Sequence, residues 1–388
     1  MKNLFVDKTV EALKKTLNYP ANFTPLHEPC FLGNERKYLK ECIDSNFVSS
    51  AGKFVDLFEN KIKNLTGSKY AIAVVNGTSA LHIALRLLDV GSDDEVLVPS
   101  LTFIGSVNSV MYCGATPHFI DSEHNTFGVD AKKLKNYLEK KAIYKNGRCI
   151  NKSTNKIIKA IVVVHVFGHP VNIGEIKKVS ENFNIPILED AAEGIGSFYK
   201  NQHVGTFGKL GVISFNGNKT ITTGGGGIIL ANDKNLAKRA KHLTTTAKKP
   251  HKWEYNFEEV GYNYRMPNIN AAIGIAQLEN LPKLLLKKRE LFSAYSQSFD
   301  SVSGISIQKE PKGCKSNYWL QTLVLDQRKK SCRDLILKSA NENNIMTRPC
   351  WKPMHQLKHL KGFPRMNLKV TEDLYSRLIN IPSSSNLI

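Results

Sequence analysis

The sequence predicts an α/β fold: a large domain on a mixed, mainly parallel sheet flanked by helices, followed by a smaller α+β domain. Three observations predict it. Short apolar runs bounded by turn residues alternate with helix-period stretches from residue 70 to residue 231, the pattern of successive βα units. One of those runs, Ile185-Pro186-Ile187-Leu188-Glu189-Asp190, ends in acids, at the strand end where open α/β sheets hold their ligands. Beyond about residue 260 the texture changes to helices and Pro-rich segments, which divides the chain into 1–260, with the N-terminal segment, and 261–388.

Taken in order, residues 1–32 read as a polar helix and then an extended segment, Pro25-Leu26-His27-Glu28-Pro29, held open by its prolines. Helices follow at 33–44 and 53–65. The run Tyr70 to Val75 is a buried strand that stops at Asn76-Gly77 and gives way to a helix from Thr78 to Leu88, apolar except on the side of His82 and Arg86. A strand, a tight turn and a Thr/Ser helix start aim unpaired N–H groups and a positive dipole end at one point. That point suits a phosphate, although a well-capped turn reads the same way. Strands at 95–99 and 116–120 flank a helix starting near Thr102-Phe103. Residues 141–158 break the rhythm, and Asn146-Gly147 marks a surface hairpin there. After a strand at 159–164 comes His165-Val166-Phe167-Gly168-His169-Pro170. Its two histidines invite a zinc reading, but H-E-x-x-H lacks its Glu here, and the Gly and Pro oppose a helix. They read as loop histidines, and no metal is expected. A helix at 172–183 leads to the strand ending at Asp190, either a site acid or a helix cap. Strands at 211–215 and 227–231 bracket a glycine-rich loop. Helices cover 234–246 and 268–280, and Pro282 opens a separate helix to about 298 at its first turn. A strand from Tyr318 to Leu325 and a helix at 331–342 complete the smaller domain.

Charge and cysteine content narrow the class. Lys and Arg number 54 against 34 acids, a formal +20. The lysines are scattered over exposed-looking segments such as Lys283 to Arg289 and Lys248-Lys249, without interleaved aromatics. This reads as solvated surface rather than a nucleic-acid interface, and it equally fits a cleft for an anionic small molecule. Seven cysteines form no C-x-x-C pair, which implies free thiols in a reducing, cytoplasmic setting. No apolar run is long enough for a membrane span, and Met1 to Pro20 has no signal-peptide core.

The bracketed loop, Ser214-Phe215-Asn216-Gly217-Asn218-Lys219-Thr220-Ile221-Thr222-Thr223-Gly224-Gly225-Gly226-Gly227, holds a single lysine before four glycines. A phosphate loop would need Gly before the lysine, where Asn218 stands. A dinucleotide fingerprint would need a helix where Ile228, Ile229 and Leu230 read as strand. What remains is a working amine, a Schiff-base nucleophile beside backbone that something approaches closely, weighed against a solvated lysine in a flexible hairpin. The turn at Asn76-Gly77-Thr78, the ring of Phe103, the acid Asp190, the hydroxyl of Ser214 and the amine of Lys219 together form the parts list of a pyridoxal phosphate enzyme.

The sequence resembles the DegT/StrS-type nucleotide-sugar aminotransferases, aspartate-aminotransferase-like enzymes of fold type I. The likeness rests on Asn76 to Leu81, Glu189-Asp190-Ala191-Ala192, Ser214-Phe215 with Lys219 to Gly224, and Gly261-Tyr262-Asn263-Tyr264-Arg265-Met266. It implies that Lys219 carries the cofactor covalently, Asp190 partners the pyridine nitrogen, Phe103 stacks on the ring, and Gly77, Thr78 and Ser214 bind the phosphate. Asn263 would reach the phosphate of the second subunit in a homodimer with shared sites, and Glu193 is expected beside the cofactor or the sugar. The implied reaction moves nitrogen from glutamate to a nucleotide-linked keto-sugar. A sugar dehydratase on the same fold is opposed by Lys219, since those enzymes carry histidine there; a non-catalytic sugar-binding protein is a further alternative. Glu193 and Gly225 depart from many relatives and, with Pro25-Leu26-His27-Glu28-Pro29, Asn216-Gly217-Asn218-Lys219 and Arg348-Pro349-Cys350-Trp351, resemble the legionaminic-acid and bacillosamine branch. The expected substrate is therefore a UDP- or GDP-linked 2-acetamido-2,6-dideoxy-4-keto-hexose aminated at carbon 4, with a perosamine-type 2-hydroxy sugar as the alternative. Gly225 is expected to widen the site by removing a side chain.

Overall fold

The computed structural model describes residues 2–388. The chain forms helices α1 (Lys2–Thr16), α2 (Glu35–Asp44), α3 (Lys53–Thr66), α4 (Gly77–Leu87), α5 (Ile104–Tyr112), α6 (Ala131–Lys141), α7 (Ile173–Phe183), α8 (Lys234–Thr244), α9 (Asn268–Phe299), α10 (Arg333–Glu342) and α11 (Lys369–Arg377). Between them lie strands β1 (Tyr70–Val74), β2 (Asp94–Pro99), β3 (Thr116–Ile120), the hairpin β4 (Ala142–Lys145) and β5 (Arg148–Asn151), β6 (Ile157–Val164) and β7 (Ile187–Asp190). Then follow β8 (Phe198–Tyr199), β9 (Gln202–His203), β10 (Leu210–Ser214), β11 (Gly227–Ala231), β12 (Lys248–Lys249), β13 (Asn256–Phe257), β14 (Ile305–Ile307), β15 (Cys314–Lys315), β16 (Gln321–Leu325), β17 (Arg348–Pro349) and β18 (Leu378–Ile381).

The main sheet runs β1-β11-β10-β7-β6-β2-β3, with the β4–β5 hairpin joined to β6. Pairing is parallel from β10 through β7, β6 and β2 to β3, and antiparallel where β11 meets β1 and β10. Strands such as Val212 and Val162 are buried on both faces, because helices cover the sheet on each side. This mixed, mainly parallel sheet matches the expected class. A second, antiparallel sheet runs β14-β16-β18-β17.

The apolar clusters cross residue 260 in both directions. Phe5, Val10 and Leu13 of α1 cluster with Leu291 and Tyr295 of α9 and Ile379 of the small sheet, so the polar-looking N-terminal helix is amphipathic and buries a face there. Met354, Leu360 and Leu374, late in the chain, join the core of the main sheet.

Three local expectations need correction. Pro282 lies inside a continuous 32-residue helix, α9, rather than opening a new one. An internal proline costs about 3 kcal/mol. Burial of Leu281, Leu284 and Leu291 around it outweighs that cost, since each buried apolar side chain contributes about 1.5–3 kcal/mol. The strand expected from Tyr318 begins only at Gln321, because Tyr318 has φ 49°, a left-handed turn that cannot continue a strand. Lys288, read as part of a solvated basic run, is 1% exposed.

Candidate active site

The carboxyl ends of β7 and β10 and the N-termini of α4 and α5 converge on one concave site, as expected for an open sheet flanked by helices. Asp190, the last residue of β7, is buried. Its Oδ2 accepts the Ser106 hydroxyl at 2.7 Å and its Oδ1 the Ala192 N–H at 3.1 Å, and the chain after it turns without entering a helix, so it caps none. Burial pushes this carboxyl above its ordinary range, while Ser106, the Ala192 amide and the Lys219 charge pull it back. Glu193 follows on the same turn. Its Oε2 accepts the N–H of Phe167, a residue at φ 56°, at 2.8 Å, and its Oε1 lies 3.4 Å from Lys219 Nζ. Burial pushes Glu193 up to about 7, against the attraction of Lys219.

The lysine loop is folded back on itself rather than flexible. The Phe215 amide donates to Gly226 O at 2.8 Å, Thr223 to Phe215 O at 3.0 Å, and Asn270 Nδ2 to Thr223 O at 2.6 Å. Lys219 Nζ lies 3.9 Å from the ring centroid of Trp319, whose indole N–H donates to Asn218 O at 2.7 Å. The amine is thus held between an indole face and a carboxylate, with its side chain only 13% exposed.

At the opposite end, Asn76 caps α4 by accepting the Ser79 N–H at 2.7 Å. The amides of Gly77 and Thr78, in the first helical turn, have no intrahelical acceptor and carry the positive end of the dipole. A Cβ on Gly77 would stand 2.9 Å from Ser214 Cβ, and one on Gly227 would stand 2.4 Å from Asn76 O. Both glycines are therefore required for α4 to start this close to β10 and β11.

These groups line a cavity of about 330 Å³. Of the residues expected from sequence, Gly77, Thr78, Phe103, Asp190, Glu193, Ser214 and Lys219 all face it. Asn263 does not; it is exposed on the half-buried 262–265 segment, bridged to Thr245, outside the chain's own cavity. Gly225 also lies outside, its carbonyl accepting from Asn270 and an added Cβ meeting only Val75 O at 3.6 Å, so it does not widen the cavity. Sequence reasoning missed Ser106, Trp319 and Trp351, which line the site from distant elements. Ser106 sits one turn after Phe103 on α5, a spacing that could have suggested it; Trp351 belongs to the Arg348-Pro349-Cys350-Trp351 segment that carries part of the family likeness, and Trp319 gave no such signal. His165 and His169 do not form a metal site: His165 Nε2 pairs with Glu189 at 2.9 Å, and His169 packs edge-on to Tyr318. A larger groove of about 1060 Å³ near Glu123, Asn172 and Lys312 contains none of these groups.

A buried acid, a reactive-side amine, an exposed ring and a helix N-terminus around one cavity define the class of enzyme that works through a pyridine cofactor with a phosphate tail. The chain belongs to the DegT/DnrJ/EryC1/StrS aminotransferase family, which it matches over residues 29–388. It is 38% identical over 365 residues to a GDP-perosamine synthase of Escherichia coli O157:H7, covering 94% of each chain. A GDP-perosamine synthase of Vibrio cholerae is 36% identical over 360 residues, 92% of this chain and 93% of the relative. Among solved structures, Helicobacter pylori PseC, an aminotransferase involved in pseudoaminic acid biosynthesis, superposes with a TM-score of 0.85 at 27% identity, covering 95% of each chain. The protein is a fold-type-I aminotransferase, and pyridoxal 5′-phosphate is its cofactor.

Proposed function

We propose that this aminotransferase moves nitrogen from glutamate to carbon 4 of a nucleotide-linked 2-acetamido-2,6-dideoxy-4-keto-hexose, in the making of a surface sugar. The observation that carries the reading is the placement of Lys219 Nζ in the cavity, 3.9 Å from the Trp319 ring centroid and 3.4 Å from Glu193, with Asp190 buried at the floor. Bound pyridoxal phosphate supplies an electron sink for breaking a substrate C–H bond. Each residue has a distinct task. Asp190, kept in place by Ser106 and the Ala192 amide, would hold a positive charge at the ring nitrogen. Gly77, Thr78 and Ser214 receive the phosphate at the α4 dipole. Phe103, 56% exposed at the cavity, would cover one face of the ring. Lys219 Nζ would hold the cofactor and, as a cavity-facing amine, would serve as the general base and acid that moves a proton at the reacting carbon. Glu193 faces that amine and accepts or returns charge beside it.

Asn263 is placed as the residue contributed across a homodimer. Its support is exposure on the aromatic 262–265 segment, outside its own cavity. Mixing Lys219→Ala chains with Asn263→Ala chains should restore activity in verified heterodimers if sites are shared; no recovery refutes sharing. We place the reaction in the cytoplasm, supported by seven free cysteines, and no helix among the described residues is long and apolar enough to cross a membrane.

A second reading, a 2-hydroxy sugar of the perosamine type, is favoured by the relatives named GDP-perosamine synthase at 36–38% identity. Rates on the 2-acetamido sugar and on its 2-hydroxy counterpart, each with glutamate, decide the matter. A preference for the hydroxy sugar replaces the first reading with the second.

A further inference from the structure

Outside the cavity, one buried cation has no role in the chemistry above. Lys288, midway along α9, donates from Nζ to Ser383 O at 2.6 Å, His27 Nε2 at 2.9 Å and Trp319 O at 3.1 Å. Its three acceptors come from three separate stretches: the Pro25–Pro29 segment, the corner before β16, and the chain after β18. All three are neutral, and among the described residues no carboxylate pairs with this amine. Burial therefore lowers it to about 7. The same burial and the Lys288 and Lys219 charges hold His27 well below its usual range, so its imidazole is neutral and accepts.

Trp319 is the shared element. Its carbonyl meets Lys288, its amide donates to Asn317 Oδ1 at 2.9 Å, its indole N–H donates to Asn218 O, and its ring lies under the Lys219 amine. The residue before it, Tyr318, is held at φ 49°, a conformation that persists only where its surroundings fix it. Gln321 Nε2 donates to Lys288 O at 3.1 Å, so the corner is tied to α9 at two points.

We propose that Lys288 is a positioning residue for Lys219, acting through Trp319: it fixes the corner that sets the indole wall against the reacting amine. The proposal rests on the assignment of Lys219 as that amine. A lysine that served only to join segments would affect stability without reference to Trp319.

The test is a double-mutant cycle of Lys288→Met and Trp319→Ala, with two readouts. The first is kcat and KM on the preferred sugar. The second is the rate at which acetic anhydride labels Lys219 in the cofactor-free chain, read by peptide mass spectrometry. Lys288→Met should lower kcat about tenfold or more, as misplacement of a reacting group does, with a smaller change in KM. It should also alter Lys219 labelling, and both effects should largely vanish in the Trp319→Ala background. Unchanged labelling and kcat in Lys288→Met, or effects that simply multiply, overturn the proposal. If Lys288→Met does not fold, Lys288→Gln, which keeps donors for part of the tie, enters the same cycle. Failure of the unaltered chain to transaminate would refute the functional reading instead, and the labelling arm still reads the coupling without cofactor.

Discussion

Two lysines, Lys219 and Lys288, lie at either side of Trp319 and illustrate opposite uses of the same side chain. Lys219 points into a cavity, with an indole face on one side and the Glu193 carboxylate on the other, and keeps its amine free to react. Lys288 is sealed, with every donor directed at a neutral oxygen or nitrogen. A buried amine without a carboxylate loses part of its hold on its proton, as Lys288 does. The difference lies in the surroundings, which come from segments far away in sequence.

The largest expected effect belongs to Lys219. Lys219→Ala should lower kcat by about 10⁴-fold, the scale of a lost positioned base, while leaving the melting temperature of the cofactor-free chain close to the original. Lys288→Ala should do the reverse in emphasis, lowering the melting temperature clearly, because three acceptors lose their donor in a dry interior. Equal loss of stability in both variants would erase the distinction drawn here.

Asp190→Asn comes next. A neutral amide cannot hold a positive charge at the ring nitrogen, and kcat should fall by about 10²–10³-fold, the scale for one preorganised electrostatic contact. Steady-state kinetics at saturating cofactor checks this, and an unchanged rate would reduce Asp190 to a partner of Ser106.

The smallest effect is on pH dependence. Glu193 rises from 4.5 to about 7 in the folded, cofactor-free chain, so between these values the folded state binds more protons than the unfolded one. Its contribution to stability is then present below about 4.5 and is lost as pH rises towards 7. Glu193→Gln should flatten that part of the stability profile. Denaturant melts of the two chains at several pH values, compared as differences, measure it. Identical slopes would show that Lys219 already keeps Glu193 ionised.

Much of this site was legible because its residues sit at punctuation. Asp190 closes an apolar strand, Gly77 follows a turn Asn, and Lys219 stands before four glycines, so local pattern and chemistry coincide. What could not be read depends on tertiary placement. Lys288 lies in a run of basic residues that looks solvated, and it is buried by the N-terminal segment, the corner at Trp319 and the chain after β18. Pro282 is a strong breaker by itself, yet packing on both sides carries α9 through it. Trp319 enters from the smaller half of the chain with no motif to mark it, and Trp351 sits in the Arg348-Pro349-Cys350-Trp351 segment, whose family likeness does not say that its ring lines the site. Gly225 shows the opposite failure: a residue conspicuous in sequence that does not line the cavity.

Borohydride reduction of the pyridoxal-phosphate-loaded protein, followed by peptide mapping, tests the central claim most directly. The cofactor's mass should appear on the peptide containing Lys219 and be displaced from it by prior addition of glutamate. A label on Lys288 or another lysine, or a Lys219 peptide that stays unmodified, would contradict the account.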